Sequence, residues 1–213
     1  FELAGKLQLS APEVVDLAQE TPQTHARYGL EDPDIGPFGK QCLLARRLVE
    51  RGVRFVQIYC GAENTSKKAI RPNWDSHEDI VRDHGYWGRI LDTGASALIE
   101  DLKARGLLDS TLVICTSEFG RQPFMQGQQK GRDHNPGAFT AWMAGGGIKG
   151  GVGYGASDPI GFKAQDKPTY CYDLHATALH LLGIDHKKLT FYHNGIQRRL
   201  TDVHGQVIEE LLA

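Results

Sequence analysis

The chain has 213 residues, a formal net charge of −2 at neutral pH, 40% hydrophobic and 23% charged residues. The length is sufficient for a domain with a sizeable core, and the composition is that of an ordinary soluble globular protein. The near-neutral charge argues against a nucleic-acid or anionic-membrane partner. No apolar run approaches the roughly 20 residues that a membrane-spanning helix needs.

The N-terminal part of the chain is predicted to be a polar arm over residues 1–36, followed by a domain over residues 37–213. Within the arm, Ala11-Pro12-Glu13 is expected to begin a short helix that ends near Leu17. The later prolines are expected to break any longer element: Pro22, Pro33 and Pro37.

The middle of the chain alternates between helical and strand-like patterns. Apolar residues at helical spacing predict two helices, each closed by a glycine, over residues 38–51 and 86–105. Apolar, β-branched runs predict strands over residues 53–59 and 111–116. The second run is nearly all apolar, which is typical of a strand covered on both faces in a parallel sheet. Strand, helix and strand in this order indicate a right-handed βαβ unit of an α/β domain.

The C-terminal part is predicted to hold a third strand over residues 138–144 and a glycine-rich stretch that runs to Gly155. A helix is expected over residues 172–182, with Asp173 as its cap. We also predict a turn at Asn194-Gly195 and a last helix over residues 203–212.

Residues that commonly bind metals follow the predicted strands. Ligands of open α/β sheets bind at the carboxyl ends of the strands. Asp75 and His77 lie in the loop after the first strand, Glu118 directly after the second and His134 in the next loop. A mixed set of carboxylates and imidazoles suits Zn, Mn or Fe better than Ca, which prefers oxygen ligands.

Each of these residues also has a structural interpretation that the sequence leaves open. Taken alone, Asp75 and His77 are a weak signal, because two polar residues in a loop are usually just solvated. Glu118 would lose hydration at the mouth of a buried strand, and a metal ion or an ion pair with Arg121 would compensate. The segment Arg132-Asp133-His134 is also consistent with a surface turn started by Asn135-Pro136.

Other reactive residues are weaker candidates. Ser117 is interpreted as a strand-end hydroxyl. The remaining histidines are interpreted as surface or structural residues. The glycines at 145–151 are predicted to form tight turns or a site rim, because no dinucleotide fingerprint follows them. The cysteines show no metal-knuckle spacing and are predicted to be core thiols: Cys42, Cys60, Cys115 and Cys171.

Four motifs in combination resemble a known family. They are Asn73-Trp74-Asp75-Ser76-His77, Thr116-Ser117-Glu118-Phe119-Gly120-Arg121, Gly131-Arg132-Asp133-His134, and the glycine-rich run from Ala144 to Gly151. They resemble a sulfatase-like family of unknown function, number 1501 in the domain-of-unknown-function series. That family is similar in layout to the alkaline phosphatase superfamily. The resemblance implies a three-layer α/β/α sandwich with a mostly parallel sheet, and it implies that this chain is the C-terminal half of the complete domain.

The resemblance also implies roles for individual residues. Asp75, His77 and His134 would bind one divalent metal ion, and Glu118 would bind a second. Phe119 stands where the superfamily usually has histidine, so the second site lacks a ligand and the chain would hold one or two ions.

The resemblance also implies roles for three charged residues near these ligands. Arg121 and Arg132 are candidates to contact an anionic ester, or to orient Glu118 or Asp133. Asp133 is a candidate to fix the imidazole of His134. The nucleophile is expected in the N-terminal half of the family's domain, so no residue of this chain is assigned that role.

The implied activity is hydrolysis of sulfate or phosphate esters by the full-length, metal-dependent enzyme. The isolated chain is expected to be inactive, with the missing N-terminal half as its main partner and an anionic ester as substrate. The family suggests a periplasmic or secreted protein, although this chain shows no signal peptide. The alternatives are a non-catalytic binding or surface-associated module with a degenerate metal site, and a metal used for another purpose.

Overall fold

The computed structural model describes residues 13–61, 70–71 and 73–213. The chain divides into two compact units. The first comprises the residues up to Leu107 together with Met125–Arg132, and the second comprises Leu108–Phe124 together with Asp133–Ala213. In the described part of the chain, the first unit holds three α-helices besides helical residues at 13–15, whereas the second holds eight short strands and one α-helix. The helical residues 13–15 agree with the predicted short helix, and its expected start at Ala11 and Pro12 lies outside the described residues.

The first unit is built from helices α1 (Pro22–Arg27), α2 (Gly36–Glu50) and α3 (Ile80–Ala104), preceded by a 3-10 turn at Leu17–Gln19. Proline stands in the first turn of both α1 and α2. The prolines at 22 and 37 therefore begin helices instead of breaking them, because the first turn has no intrahelical partner for the missing N–H group.

Residues 13–36 contribute to the hydrophobic core of this unit. Four of their apolar side chains are buried: Val14, Tyr28, Leu30 and Ile35. The expectation of a polar arm is therefore wrong for this part of the chain. The domain division at residue 36 stays a prediction.

The two long helices agree with their sequence patterns. α2 matches the predicted helix, and Gly52 follows it with φ +81°. α3 begins six residues earlier than predicted, at Ile80, because the carboxylate of Asp79 accepts the Arg82 N–H at 3.1 Å and caps the first turn. Helices α2 and α3 pack closely at Gly94, where an added Cβ would lie 2.6 Å from the Phe38 ring.

A buried ionic cluster also joins α2 to α3. The Arg46 guanidinium forms ion pairs with Glu20, Glu50 and Asp101 at 2.7, 2.7 and 2.9 Å, and its side chain is only 2% exposed. The Tyr28 hydroxyl donates to Asp101 at 3.1 Å. Burial acts to raise the pKa of Glu20 and Asp101, but their arginine partners outweigh it, so both pKa values are lowered.

The predicted strand at 53–59 is absent. Residues 53–61 form no helix or strand, and Phe55 and Tyr59 are 78% and 72% exposed. A strand exists only when its backbone pairs with a neighbour, and no described residue pairs with this segment. The predicted βαβ unit is therefore not formed by the described residues.

The second unit holds the strands β1 (Val113–Cys115), β2 (Gly120–Arg121), β3 (His134–Asn135), β4 (Trp142–Ala144), β5 (Ala156–Ser157), β6 (Ala164–Asp166), β7 (Thr190–His193) and β8 (Ile196–Arg199). They form four antiparallel pairs: β1 with β4, β2 with β3, β5 with β6 and β7 with β8. The α/β prediction is confirmed at the level of mixed helices and strands. The strands that the structure describes form no parallel sheet and no three-layer sandwich.

The C-terminal elements agree only in part with the prediction. Helix α4 (Cys171–Leu181) is confirmed, but its N-cap is Tyr170 and not Asp173. Asp173 lies at the third helical position, where its carboxylate accepts the Tyr170 N–H at 2.8 Å. Asn194 and Gly195, at φ +50° and +83°, form the two-residue turn of the β7–β8 hairpin. The predicted helix over 203–212 is wrong, since only Glu209–Leu211 form a 3-10 turn there.

Within the described residues, no helix has both the length and the apolar character required to cross a membrane.

Candidate metal centre

The loop that carries Asp75 and His77 is anchored on its N-terminal side by Trp74. The Trp74 indole donates to the Cys60 carbonyl at 2.8 Å, and the Trp74 carbonyl lies 3.0 Å from Nε2 of His84. The Trp74 and His84 rings also meet edge to face, with centroids 5.3 Å apart. The Asp75 N–H donates to the Asn73 side chain at 2.9 Å. These contacts give the loop one defined path.

Asp75 and His77 face each other within this loop. Nε2 of His77 lies 2.9 Å from the Asp75 carboxylate, which is half exposed. Nδ1 of His77 lies 2.6 Å from Oε1 of Gln126. With its proton on Nδ1, the ring donates to Gln126 and offers the Nε2 lone pair to a metal ion. No pattern in the sequence indicated Gln126, which is 49 positions from its partner.

A close backbone approach brings the second ligand-bearing segment to this loop. A Cβ on Gly131 would lie 1.9 Å from the carbonyl carbon of His77, so only glycine fits there. The Arg132 N–H donates to the Ser76 carbonyl at 3.1 Å. His134 follows two residues later in the chain.

His134 lies on β3, where its position is fixed by strand pairing and by an aromatic neighbour. Its partner in the register is Arg121 on β2. The Phe119 ring stacks on the His134 imidazole, with centroids 4.1 Å apart and planes inclined by 25°. The Gln122 N–H donates to the Asp133 carbonyl at 2.9 Å, which continues the ladder.

The ligand atoms of Asp75, His77 and His134 come within 4.8 Å of one another. Asp75 is exposed, and the two histidines are half-buried. Three protein ligands with an open position are the usual donor set of a catalytic zinc site, where ligand atoms lie roughly 3.3 Å apart. The limit of 4.8 Å within which the three atoms lie is wider than this, so binding an ion would require the ligand atoms to move closer together. The chemistry of the donor set fits the divalent ion that the sequence predicts.

Glu118, the fourth predicted ligand, is not a member of this three-residue group. Its side chain is exposed, and the strand before it is only partly buried, with Ile114 37% exposed. Glu118 therefore stays accessible to water, and the expected loss of hydration at the mouth of a buried strand is wrong. A role for Glu118 at a second ion stays a prediction.

The charged neighbours of His134 have contacts of their own. Oδ1 of Asp133 accepts the backbone N–H of His134 at 2.8 Å, so this bond fixes the backbone and not the imidazole. The Arg121 guanidinium lies 5.8 Å from the centroid of the Phe119 ring. The Arg132 guanidinium donates to the carbonyls of Lys130 and Gly131 at 2.9 and 3.0 Å. Anion binding by the two arginines stays a prediction.

The remaining candidate nucleophiles have structural contacts. The Ser117 hydroxyl donates to the Phe119 carbonyl at 2.9 Å, in agreement with a strand-end role. All four cysteines are free thiols. Cys42 is buried, and burial raises the pKa of its thiol to about 12, which makes it a poor nucleophile at neutral pH.

Comparison with known proteins identifies the family of the chain. A family model described as "Protein of unknown function (DUF1501)" matches residues 1–212. No curated protein and no solved structure matches the chain. The match covers nearly the whole sequence and does not identify the chain as a C-terminal half, and the relation to sulfatases and alkaline phosphatases stays a prediction. The chain belongs to the DUF1501 family.

Proposed function

We propose that Asp75, His77 and His134 bind a divalent transition-metal ion, and that this ion serves the hydrolysis of sulfate or phosphate esters in the natural protein. The observation that carries the proposal is the approach of their three ligand atoms to within 4.8 Å. Because the residues are up to 59 positions apart in the sequence, their approach depends on the fold. Their loop is held by Trp74, by Gly131 and by Gln126, as a preorganised site requires.

The donor set favours particular metals. Two imidazoles and one carboxylate suit Zn, Mn or Fe, whereas Ca and Mg prefer shells of oxygen atoms. Zinc in such a site lowers the pKa of a bound water or hydroxyl and stabilises developing negative charge.

The residues around the donor set provide groups for an anionic ester. Arg121 is the register partner of His134 and is half-buried. Its guanidinium lies 5.8 Å from the centroid of the Phe119 ring, which stacks on the His134 imidazole. A guanidinium matches the paired oxygens of sulfate and phosphate. Arg132 is a second candidate, although two backbone carbonyls already orient it. The Ser117 hydroxyl faces a backbone carbonyl, so we assign the nucleophile to a segment other than β1 and the turn that follows it.

Phe119 favours a second candidate function. Its ring covers one face of His134 at the position where the resemblance leads us to expect a further metal ligand. An apolar ring cannot coordinate a second ion. A chain that binds a single ion without hydrolysing esters would be a metal-dependent binding module.

Cobalt titration tests the metal site directly, because Co²⁺ bound by imidazole and carboxylate ligands absorbs visible light. We expect one Co²⁺ ion per chain, and at least a 100-fold weaker affinity in His134→Ala. The matched control is His175→Ala, which removes an exposed imidazole whose Nδ1 lies 2.7 Å from the Cys171 carbonyl. Equal affinities for wild type and His134→Ala would exclude the site.

Hydrolysis assays separate the two functions. The natural full-length protein, loaded with Zn²⁺ or Mn²⁺, is assayed with p-nitrophenyl phosphate and p-nitrophenyl sulfate. Turnover that is lost in His134→Ala but retained in His175→Ala supports the hydrolase. Binding of Co²⁺ with no turnover of either ester supports the binding module.

A further inference from the structure

Ser76 stands between the two ligands of the loop, and its environment differs from theirs. Its side chain is fully buried, whereas Asp75 is exposed and His77 is half-buried. The loop therefore turns the Ser76 hydroxyl inward while it presents the two ligands outward.

The hydroxyl of Ser76 meets a buried carboxylate at the start of α3. Ser76 Oγ donates to Oδ2 of Asp83 at 2.7 Å, and both side chains are 0% exposed. Arg82 donates to the same carboxylate from Nε and Nη2, at 2.7 and 3.1 Å. Asp83 lies in the first turn of α3, a helix of 25 residues that Asp79 caps, so the backbone of Asp83 is held in place. A buried carboxylate with several donors is a rigid acceptor.

The backbone of Ser76 is engaged on both sides as well. Its N–H donates to the Trp74 carbonyl at 3.0 Å, and its carbonyl accepts the Arg132 N–H at 3.1 Å. All three polar groups of this one residue are therefore bonded. Through them, Ser76 connects helix α3, the loop that bears Asp75 and His77, and the segment that leads to His134.

We propose that Ser76 and Asp83 are positioning residues of the metal centre: the buried Asp83 carboxylate holds Ser76, and Ser76 sets the direction of Asp75 and His77 and the path towards His134. The proposal rests on the proposed metal site and adds two residues that do not themselves bind the ion. Groups that orient metal ligands commonly change metal affinity by about 10- to 100-fold when they are removed.

The test compares Ser76→Ala and Asp83→Asn with Thr201→Val. Thr201 is also fully buried, and its hydroxyl lies 2.8 Å from Nδ1 of His186 in the second unit. Thr201→Val therefore removes one buried hydroxyl and its hydrogen bond, as Ser76→Ala does. Asp83→Asn keeps the side-chain shape but replaces one of the two acceptor oxygens by an NH2 group and removes the negative charge, so it disturbs the acceptor of Ser76 and Arg82 without deleting a side chain. Circular dichroism verifies that each variant is folded.

We expect Co²⁺ to bind about 10- to 100-fold more weakly to Ser76→Ala and Asp83→Asn, and we expect the visible spectrum of the bound ion to change. The affinity of Thr201→Val for Co²⁺ should equal that of wild type. A merely structural role would lower stability in all three variants and leave the affinity of the folded protein unchanged. Co²⁺ affinity that is equal in wild type and both site variants would overturn the proposal.

Measurements on metal-free protein separate this proposal from the proposed function. Hydrogen exchange of the Arg132 amide and the NMR signals of the His77 ring report the geometry of the loop without any metal. We expect faster exchange and shifted ring signals in Ser76→Ala and not in Thr201→Val. If wild type binds no Co²⁺, the proposed function fails. If the Arg132 and His77 signals are unchanged in Ser76→Ala, the positioning role fails whether or not the wild type binds metal.

Discussion

Phe119 lies flat against the imidazole of His134, with ring centroids 4.1 Å apart and planes inclined by 25°. The contact arises because Phe119 immediately precedes β2, which pairs with the strand of His134. Stacking restricts the rotation of the imidazole and therefore reduces the entropy that metal binding would cost. An aromatic pair of this kind contributes about 0.5–1.5 kcal/mol beyond its buried area.

Removing this ring should weaken metal binding. We expect Phe119→Leu to lower the affinity for Co²⁺ by about 2- to 12-fold, which corresponds to the stacking energy. Isothermal titration of wild type and variant measures the difference. The control is Phe124→Leu, which removes an exposed ring 6.1 Å from Phe162 and should leave the affinity unchanged. Equal affinities for wild type and Phe119→Leu would show that stacking does not orient His134.

Gly131 provides a steric test of the same centre. In Gly131→Ala the new Cβ would lie 1.9 and 2.0 Å from the carbonyl carbon and oxygen of His77, which are backbone atoms and cannot rotate away. We expect a loss of about 1–3 kcal/mol in the free energy of unfolding, together with weaker Co²⁺ binding. Urea denaturation and metal titration measure the two effects.

Gly150→Ala is the matched control for this substitution. A Cβ added at Gly150 would meet no atom within 4 Å, and the φ of this residue is not positive, so the substitution should change neither quantity. A Gly131→Ala protein as stable as Gly150→Ala would contradict the close approach of Gly131 to His77.

The ionic cluster around Arg46 predicts a dependence of stability on pH. Arg46→Met removes the cation shared by Glu20, Glu50 and Asp101. Arg47 and Arg105 still pair with these carboxylates, so we expect a cost at pH 7 below the about 3–5 kcal/mol of a buried charge left without any partner. The pKa values of Glu20 and Asp101 are lowered from 4.5 and 3.8, so their contribution is full above those values and is lost as the pH falls through the lowered ones. The stability difference between wild type and Arg46→Met should therefore shrink in acid.

Urea denaturation at a series of pH values below and above 4.5 measures that difference. The control is Lys188→Met, because Lys188 is 87% and its partner Asp185 46% exposed in their pair. An exposed pair contributes about 0–1 kcal/mol, so the cost of this substitution should be small. A cost of Arg46→Met that is the same at all pH values would contradict the proposed role of the carboxylates.

Helix α3 offers two glycines with opposite expectations. Gly85 lies inside the helix with nothing within 4 Å of an added Cβ, so Gly85→Ala should stabilise the protein by about 0.5–1 kcal/mol. At Gly94 the added Cβ would lie 2.6 Å from Phe38 and 3.1 Å from Sγ of Cys42, so Gly94→Ala should destabilise it by about 1–3 kcal/mol. Thermal unfolding of both variants checks the prediction, and shifts of the same sign would contradict the packing of α2 on α3.

The helices and the identity of three candidate ligands could be predicted from the sequence. Helices α2, α3 and α4 follow from apolar spacing and from glycines after their ends, because helical hydrogen bonds lie within one segment. Asp75, His77 and His134 could be selected because their side chains have the chemistry of metal ligands. The structure brings the ligand atoms of these three residues together in one candidate metal site.

Strand pairing and the supporting contacts required the tertiary structure. The run at 53–59 has the composition of a strand but pairs with no described segment, and β1 pairs antiparallel with β4 where a parallel sheet was expected. Gln126 and the Ser76–Asp83 pair were not predicted. A strand and a hydrogen bond both need a partner, and when that partner is distant in the chain its position depends on how all the intervening residues pack. Composition therefore determined the chemistry available to this protein, and only the fold decided which of those groups meet.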